Sequence, residues 1–289
     1  MNIRNILVAV VALFAVQAAV AGGPLDKKPL KKVTTKKGET KSNFDKAVDF
    51  FFEEKYDEAY TIFKKELNNP KHKGYAATYI ASMMIDADEV EAATEAINQA
   101  QESLPTHDSV FCAFFHGEAA RLMQADGNDA AALDHLNKAI DLAPDDAFYY
   151  GRRGKLLHKL ERYDEAVVDL AKAAKMNTDD MDAQISLGCT LDAQTKFDEA
   201  LEIFNAVVKK WPKAANSYAY RASTYYNTQD FAAATDDAIR AIELDGENEH
   251  ALWLLPYIKA QDATVVAEKL KAKRSSNPAK WDAVIASLE

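Results

Sequence analysis

A chain of 289 residues is long enough to bury a sizeable core, in one large domain or two small ones. With 48% hydrophobic and 28% charged residues it is an ordered soluble chain and not a disordered or collagen-like one, and only 10 Gly and 8 Pro leave room for long helices. Its formal net charge of -10 argues against a nucleic-acid partner, which calls for a basic face.

The first residues read as a targeting segment. Arg4 gives a basic start, Ile6 to Val16 is a continuous apolar run, and Ala19-Val20-Ala21 supplies the small residues read by a signal peptidase. Residues 1–21 are therefore expected to be a signal peptide cleaved after Ala21. A spanning helix needs about 20 apolar residues, and Gln17 interrupts a shorter run. No cysteine follows that would mark a lipoprotein. The expected product is exported, periplasmic or secreted, with no transmembrane segment in the mature chain. Residues 22–39 read as a basic flexible linker. Across Gly22 to Ser42, Lys27, Lys28, Lys31, Lys32, Lys36, Lys37 and Lys41 stand against Asp26 and Glu39, a formal charge of +5 ahead of a strongly acidic body. Such an arm is a solvated tether or a contact to anionic lipid or to the body itself.

From there the sequence repeats. Tyr56-Asp57-Glu58-Ala59, Tyr163-Asp164-Glu165-Ala166 and Phe197-Asp198-Glu199-Ala200 share a pattern, and Phe231-Ala232-Ala233-Ala234 is a looser version. Ala132, Ala166, Ala200 and Ala234 recur every 34 residues, as do Ala120, Gly154, Gly188 and Ala222. Leu136, Leu170, Phe204 and Ala238 keep the same step, and so do Ala139, Ala173, Val207 and Ala241. Several columns in one register are not a product of alanine-rich composition. Each unit is expected to be two antiparallel helices. Gly154 and Ala166 stand where the backbones come closest, and Leu157 and Leu170 fill the gaps beside them. Asp57, Asp164 and Asp198 are placed to cap the second helix, and Pro144 and Pro212 to end a unit.

These columns resemble tetratricopeptide repeats. The resemblance implies an all-α fold, a right-handed α-solenoid of about six helix hairpins with C-terminal capping helices. The units would be 40–73, 74–107, 113–146, 147–180, 181–214 and 215–248. The five residues Asp108 to Cys112 would lengthen the first helix of the third unit. Residues 249–289 would be the capping helices. There Pro256 is expected to kink or shorten a first helix, Asn277-Pro278 to start another, and Trp281, Val284, Ile285 and Leu288 to cover the last hairpin.

Chemistry is sparse. None of His72, His107, His116, His135, His158 and His250 sits with another His or with Cys at metal-ligand spacing. No phosphate-cradling glycine loop and no nucleophile motif appears. Asp145-Asp146 and Asp179-Asp180 fall at unit junctions, where Asp caps helices. Cys112 and Cys189 lie two units apart, on the order of 20 Å for packed helices, so no disulfide joins them within one chain. No cofactor, metal or catalytic residue is expected.

In the resembled family the first helix of each unit lines a concave groove. Carried over, this face holds Tyr75, Phe114, Arg121, Phe148, Lys155, His158, Lys159, Cys189, Asp192, Asn216, Tyr226 and Asn227, with Arg152 at its edge. Some of these rings could instead pack between helices. The carboxylate clamp of one family subset is absent, because Arg121, Lys155, Cys189 and Ser223 hold its key asparagine place. The expected function is a non-catalytic exported scaffold that binds a peptide or protein. Arg121, Arg152, Lys155 and Lys159 would favour an acidic segment, beside Phe114 and Phe148. The alternatives are an envelope or secretion assembly component acting by self- or complex-stacking, and a glycan-binding accessory protein.

Overall fold

The computed structural model describes residues 41–288, so the expected signal peptide and basic linker lie outside the described residues. The described residues are helical throughout, with no strand. They fall into two compact units, which meet in sequence between residues 153 and 154. The first holds α1 (Asn43–Phe52), α2 (Tyr56–Glu66), α3 (Lys73–Asp86), α4 (Val90–Glu102), α5 (Ser109–Ala125), α6 (Asp129–Leu142) and the start of α7 (Ala147–Lys159). The second holds the rest of α7, then α8 (Tyr163–Met176), α9 (Met181–Ala193), α10 (Phe197–Lys210), α11 (Ala215–Asn227), α12 (Phe231–Leu244), α13 (Glu249–Gln261), α14 (Ala263–Arg274) and α15 (Pro278–Ala286).

Odd- and even-numbered helices differ in how they bury their residues. In α3, ten of fourteen residues are buried, whereas its partner α4 buries only Ala93, Ala96, Ile97 and Ala100. The same contrast separates α9 from α10. A helix that is apolar on all sides must be covered on all sides. First helices are packed against second helices and, in three cases, against the next first helix: α3 against α5, α9 against α11 and α11 against α13. The second helices keep one wet face.

Small residues set the close approaches. A Cβ on Gly154 would stand 2.7 Å from Leu170 Cγ, and one on Gly188 would stand 2.8 Å from the Phe204 ring. Real Cβ contacts do not come that near, so the two hairpins close only because the 34-residue column is glycine there. In the N-terminal unit the core is aromatic. Phe63 stacks on Tyr79 with centroids 4.8 Å apart, and Phe51 and Phe114 meet the same ring at 5.0 and 5.5 Å.

Six hairpins, from α1–α2 to α11–α12, turn the same way. After α1, the Lys55 N–H donates to Phe50 O at 2.9 Å and the Glu54 N–H donates to Phe51 O at 3.2 Å. This is a Schellman closure, with Glu54 in the left-handed region at φ 59°. The motif recurs at Asp88, Gly127, Glu161, Thr195 and Gln229. Gly127 suits this backbone best, Asp88 is of a type that tolerates it, and Thr195, β-branched at φ 62°, suits it least. Left-handed backbone costs an L-residue about 1–2 kcal/mol, and glycine returns part of that as unfolded-state entropy. Thr195→Gly is therefore expected to stabilise the C-terminal unit by about 0.5–1 kcal/mol. An unchanged or lower urea midpoint would show that this turn holds no strain.

Helix starts correct one expectation. Asp57, Asp164 and Asp198 are not caps. They lie inside the first turns of α2, α8 and α10, whose N-cap residues Lys55, Arg162 and Lys196 make no side-chain cap bond. There the carboxylates oppose the positive end of the helix dipole instead. Side-chain caps do occur at Asp108, Asn128, Asp180 and Asp230. Asp108 starts a seventeen-residue α5, the lengthened first helix.

At the C-terminus α13 runs its full thirteen residues through Pro256, so this helix is not shortened. Asn277 caps α15 with Pro278 in its first turn. Trp281 is fully buried with Ile239, Ile242, Leu254 and Ile258. Lys280 Nζ donates to Ile242 O at 2.6 Å, satisfying a carbonyl at the end of α12 that has no helical donor. Lys273 pairs with Glu243 at 2.6 Å.

Candidate binding face

The first helices expose few side chains, and several residues expected in the groove are part of the packing. In the N-terminal unit Phe114 is buried against Tyr79. Tyr75 packs on Phe111 with centroids 4.3 Å apart and donates to Asp108 at 3.2 Å. Burial and the Asp108 carboxylate push its hydroxyl up to about 12. Arg121, expected to be a recognition cation, is a core residue. Its side chain has no exposed surface and donates to Glu118 at 2.6 Å and to Asp86 at 2.5 Å. The reason is positional. Arg121 occurs late in the lengthened α5, where Asp86 at the end of α3 and Glu118 one turn back enclose it.

Phe148 is half-buried, with the Arg152 guanidinium 5.3 Å from its ring centroid. The expected patch of four cations thus loses Arg121, and Arg152, Lys155 and Lys159 each already make interactions of their own.

One pair escaped the sequence reading. His116 on α5 and His135 on α6 are nineteen residues apart in sequence, yet their Nδ1 atoms are 2.9 Å apart across the hairpin. One of the two nitrogens must carry the proton, so the pair is held with at least one ring neutral or shared. Burial, the facing ring and Lys138 bring His116 down to about 4. Among the described residues no group of three His, Cys, Asp or Glu could hold a metal ion.

The C-terminal unit carries a polar row that is largely buried. His158 on α7, Asp192 on α9 and Tyr226 on α11 share one column of the repeat, and Asn227 follows Tyr226. His158 is buried, with Nδ1 2.8 Å from Thr190 Oγ1. The Thr190 hydroxyl donates to Ser186 O at 2.6 Å, so His158 Nδ1 is the donor and Nε2 carries a lone pair. Asn227 Nδ2 donates to Asp192 Oδ2 at 2.9 Å. Burial raises the Asp192 carboxyl to about 6 against the opposing hydrogen bonds of Thr224 and Asn227. Tyr226 is buried against Phe231, with centroids 5.8 Å apart. Lys159 is exposed and Lys155 half-buried. Cys112 and Cys189 are buried free thiols, and burial raises both pKa values.

The buried imidazoles make stability depend on pH. Burial takes His158 and His250 down to about 4, against an ordinary 6.5. Below 6.5 the unfolded chain binds protons that the fold refuses, so stability falls as pH drops from 6.5 to 4. Asp192 works the other way, easing a penalty as pH falls from about 6 towards 3.8. The two histidines outweigh it. For the C-terminal unit a net loss on the order of 2 kcal/mol is expected at pH 5 relative to pH 7, read as a lower urea midpoint of that unit, and His250→Gln should flatten the profile.

Helix hairpins at a 34-residue step, with small residues at each close approach, define an all-helical repeat protein. Family models described as tetratricopeptide repeat match residues 149–180 and 185–249. These residues, 149–180 and 185–249, carry tetratricopeptide repeats. The chain is 28% identical over 120 residues to the human mitochondrial import receptor subunit TOM70, a match covering 39% of this chain and 20% of that one. It thus spans about a fifth of the length of that curated relative. A tetratricopeptide repeat protein from Parabacteroides merdae has a similar fold, with a TM-score of 0.62, 20% identity, and coverage of 85% of this chain and 96% of that chain. YrrB, described as a tetratricopeptide-repeat protein with an unusual peptide-binding site, superposes with a TM-score of 0.53 at 24% identity over 66% of this chain and 95% of its own.

Proposed function

We propose that this chain is a non-catalytic exported scaffold that holds a segment of a partner protein on the face formed by its first helices. The observation that carries this reading is the polar row on α7, α9 and α11. Asp192 and Asn227 are placed there by the repeat and keep hydrogen-bonding capacity that the fold does not use. A repeat array that serves only as filler would place apolar or fully paired side chains in that column. The stretch shared with a receptor subunit supports a partner-holding role. In this reading the face comprises Lys155, His158, Lys159 and Asn227 of the C-terminal unit. Tyr226 is buried beside it, and Phe114 and Arg121 are core residues of the N-terminal unit. The acidic partner expected from four gathered cations loses support, since the Arg121 charge is taken up by Glu118 and Asp86.

Export rests on Arg4, the apolar run and Ala19-Val20-Ala21. N-terminal sequencing of the envelope protein would return Gly22. Intact Met1 in washed membranes would refute it. Partner holding is tested by bulk. Lys159→Trp adds a large ring to the proposed face, and Val168→Trp adds the same ring to the exposed side of α8. Affinity purification of the full chain should lose its most enriched protein with the first variant and keep it with the second, at unchanged helical circular dichroism. Equal recovery would place the recognition surface elsewhere.

A further inference from the structure

We infer that the α7–α9–α11 face of the C-terminal unit receives a lysine- or arginine-bearing extended segment of a partner, with the cationic side chain seated at Asp192. This rests on the proposed partner-holding role and names the chemistry of the segment held. The argument is an inventory of donors and acceptors. Among the described residues, His158 Nε2, Asp192 Oδ1 and Asn227 Oδ1 are buried and have no hydrogen-bond partner. All three are acceptors. His158 Nδ1 is committed to Thr190, which leaves Nε2 as a lone pair. The Asn227 amide is oriented by its bond to Asp192 Oδ2, which leaves its oxygen free to accept. Asp192 contributes a carboxylate oxygen.

At these three residues no unpartnered donor accompanies them; the hydroxyl of Ser217, also unpartnered, stands near the other end of α11. Such a surface is matched by a ligand that brings donors and does not bring acceptors. A buried carboxylate oxygen is matched best by a charged one, since charge-assisted hydrogen bonds are about twice as strong as neutral ones. The carboxyl raised to about 6 is in keeping with this, because its present partners do not offset its burial. Lys155 and Lys159 flank His158 on α7, but each already makes an interaction of its own.

Spacing favours an extended chain. Packed helices lie about 8–10 Å apart, and an extended strand advances about 3.3 Å per residue. One side chain at Asp192 therefore leaves roughly three residues of backbone to reach the neighbouring helix on either side, where main-chain N–H groups can meet the remaining acceptors. An acidic segment would place lone pairs against lone pairs.

The test uses the full chain and four pools of degenerate twelve-residue peptides whose central residue is fixed as Arg, Lys, Gln or Glu. Wild-type protein should retain the Arg and Lys pools about fivefold over the Glu pool. Asp192→Asn, nearly the same in shape, should bring that ratio close to one while retaining the Gln pool as before. Equal or preferred retention of the Glu pool overturns the inference and leaves the partner-holding role standing, a result that does not depend on how the variant folds. An Arg preference that survives in a folded Asp192→Asn protein also overturns it, because the cation site is then elsewhere. Failure to retain any pool overturns both the inference and the role it rests on.

Discussion

Arg121→Met is expected to destabilise the N-terminal unit by about 3–5 kcal/mol, since removing one member of a buried ion set leaves the others uncompensated. The guanidinium is wholly enclosed, and the Glu118 carboxylate beside it is nearly so, with only 2% of its side-chain surface exposed. With the arginine gone, Glu118 must either stay charged without a partner or take up a proton. Asp86, at 19% exposure, can still reach water. Most of the cost therefore comes from Glu118, and the double variant Arg121→Met with Glu118→Leu should recover much of the loss. Urea unfolding of wild type, single and double variants decides it. A single variant with an unchanged midpoint would mean that this cluster is solvated.

The second large effect is expected at Gly74, where α3 begins. A Cβ there would lie 2.1 Å from Ser103 O and 2.7 Å from Ser103 C, both main-chain atoms at the end of α4. A flexible side chain could swing away from such a contact, but a backbone carbonyl cannot move without shifting its helix. Gly74→Ala should therefore cost about 3 kcal/mol, at the top of the usual range for overpacking. The contrast with Gly154 is instructive. There the nearest atom belongs to the Leu170 side chain, which can change rotamer, so Gly154→Ala should be milder. Equal midpoints for the two alanine variants would show that the α3–α4 approach is looser than described.

The 34-residue columns made the hairpins legible because each column answers to a steric demand that recurs in every unit. Gly154 faces Leu170, and Gly188 faces Phe204, as their register requires. The left-handed turn residues were equally periodic, at Glu54, Asp88, Gly127, Glu161, Thr195 and Gln229. They went unseen because five of the six are residue types that do not announce a positive φ. The same register could have found them. The binding face was harder. A first-helix position implies a groove in the resembled family, but first helices here are covered on nearly all sides, and so Phe114, Arg121, His158 and Tyr226 are buried. Charge gave no warning, since an arginine on an inner helix and one on a groove look alike until its carboxylates are placed. The His116–His135 contact depends on the crossing of α5 and α6, which sequence spacing does not encode. Asp192 was visible as one more residue of the face. Its unpartnered oxygen became apparent only from the geometry of Asn227 and Thr224.

The central claim is that partners are held on the first helices and not on the outer ones. Site-specific photo-crosslinking tests it most directly, with the same crosslinking amino acid placed at Lys159 on α7 or at Val168 on α8, both exposed. In cells producing the full chain, the Lys159 position should give a discrete adduct whose partner peptide can be sequenced, and Val168 should give none above background. A partner adduct formed from Val168 and absent from Lys159 would contradict the account.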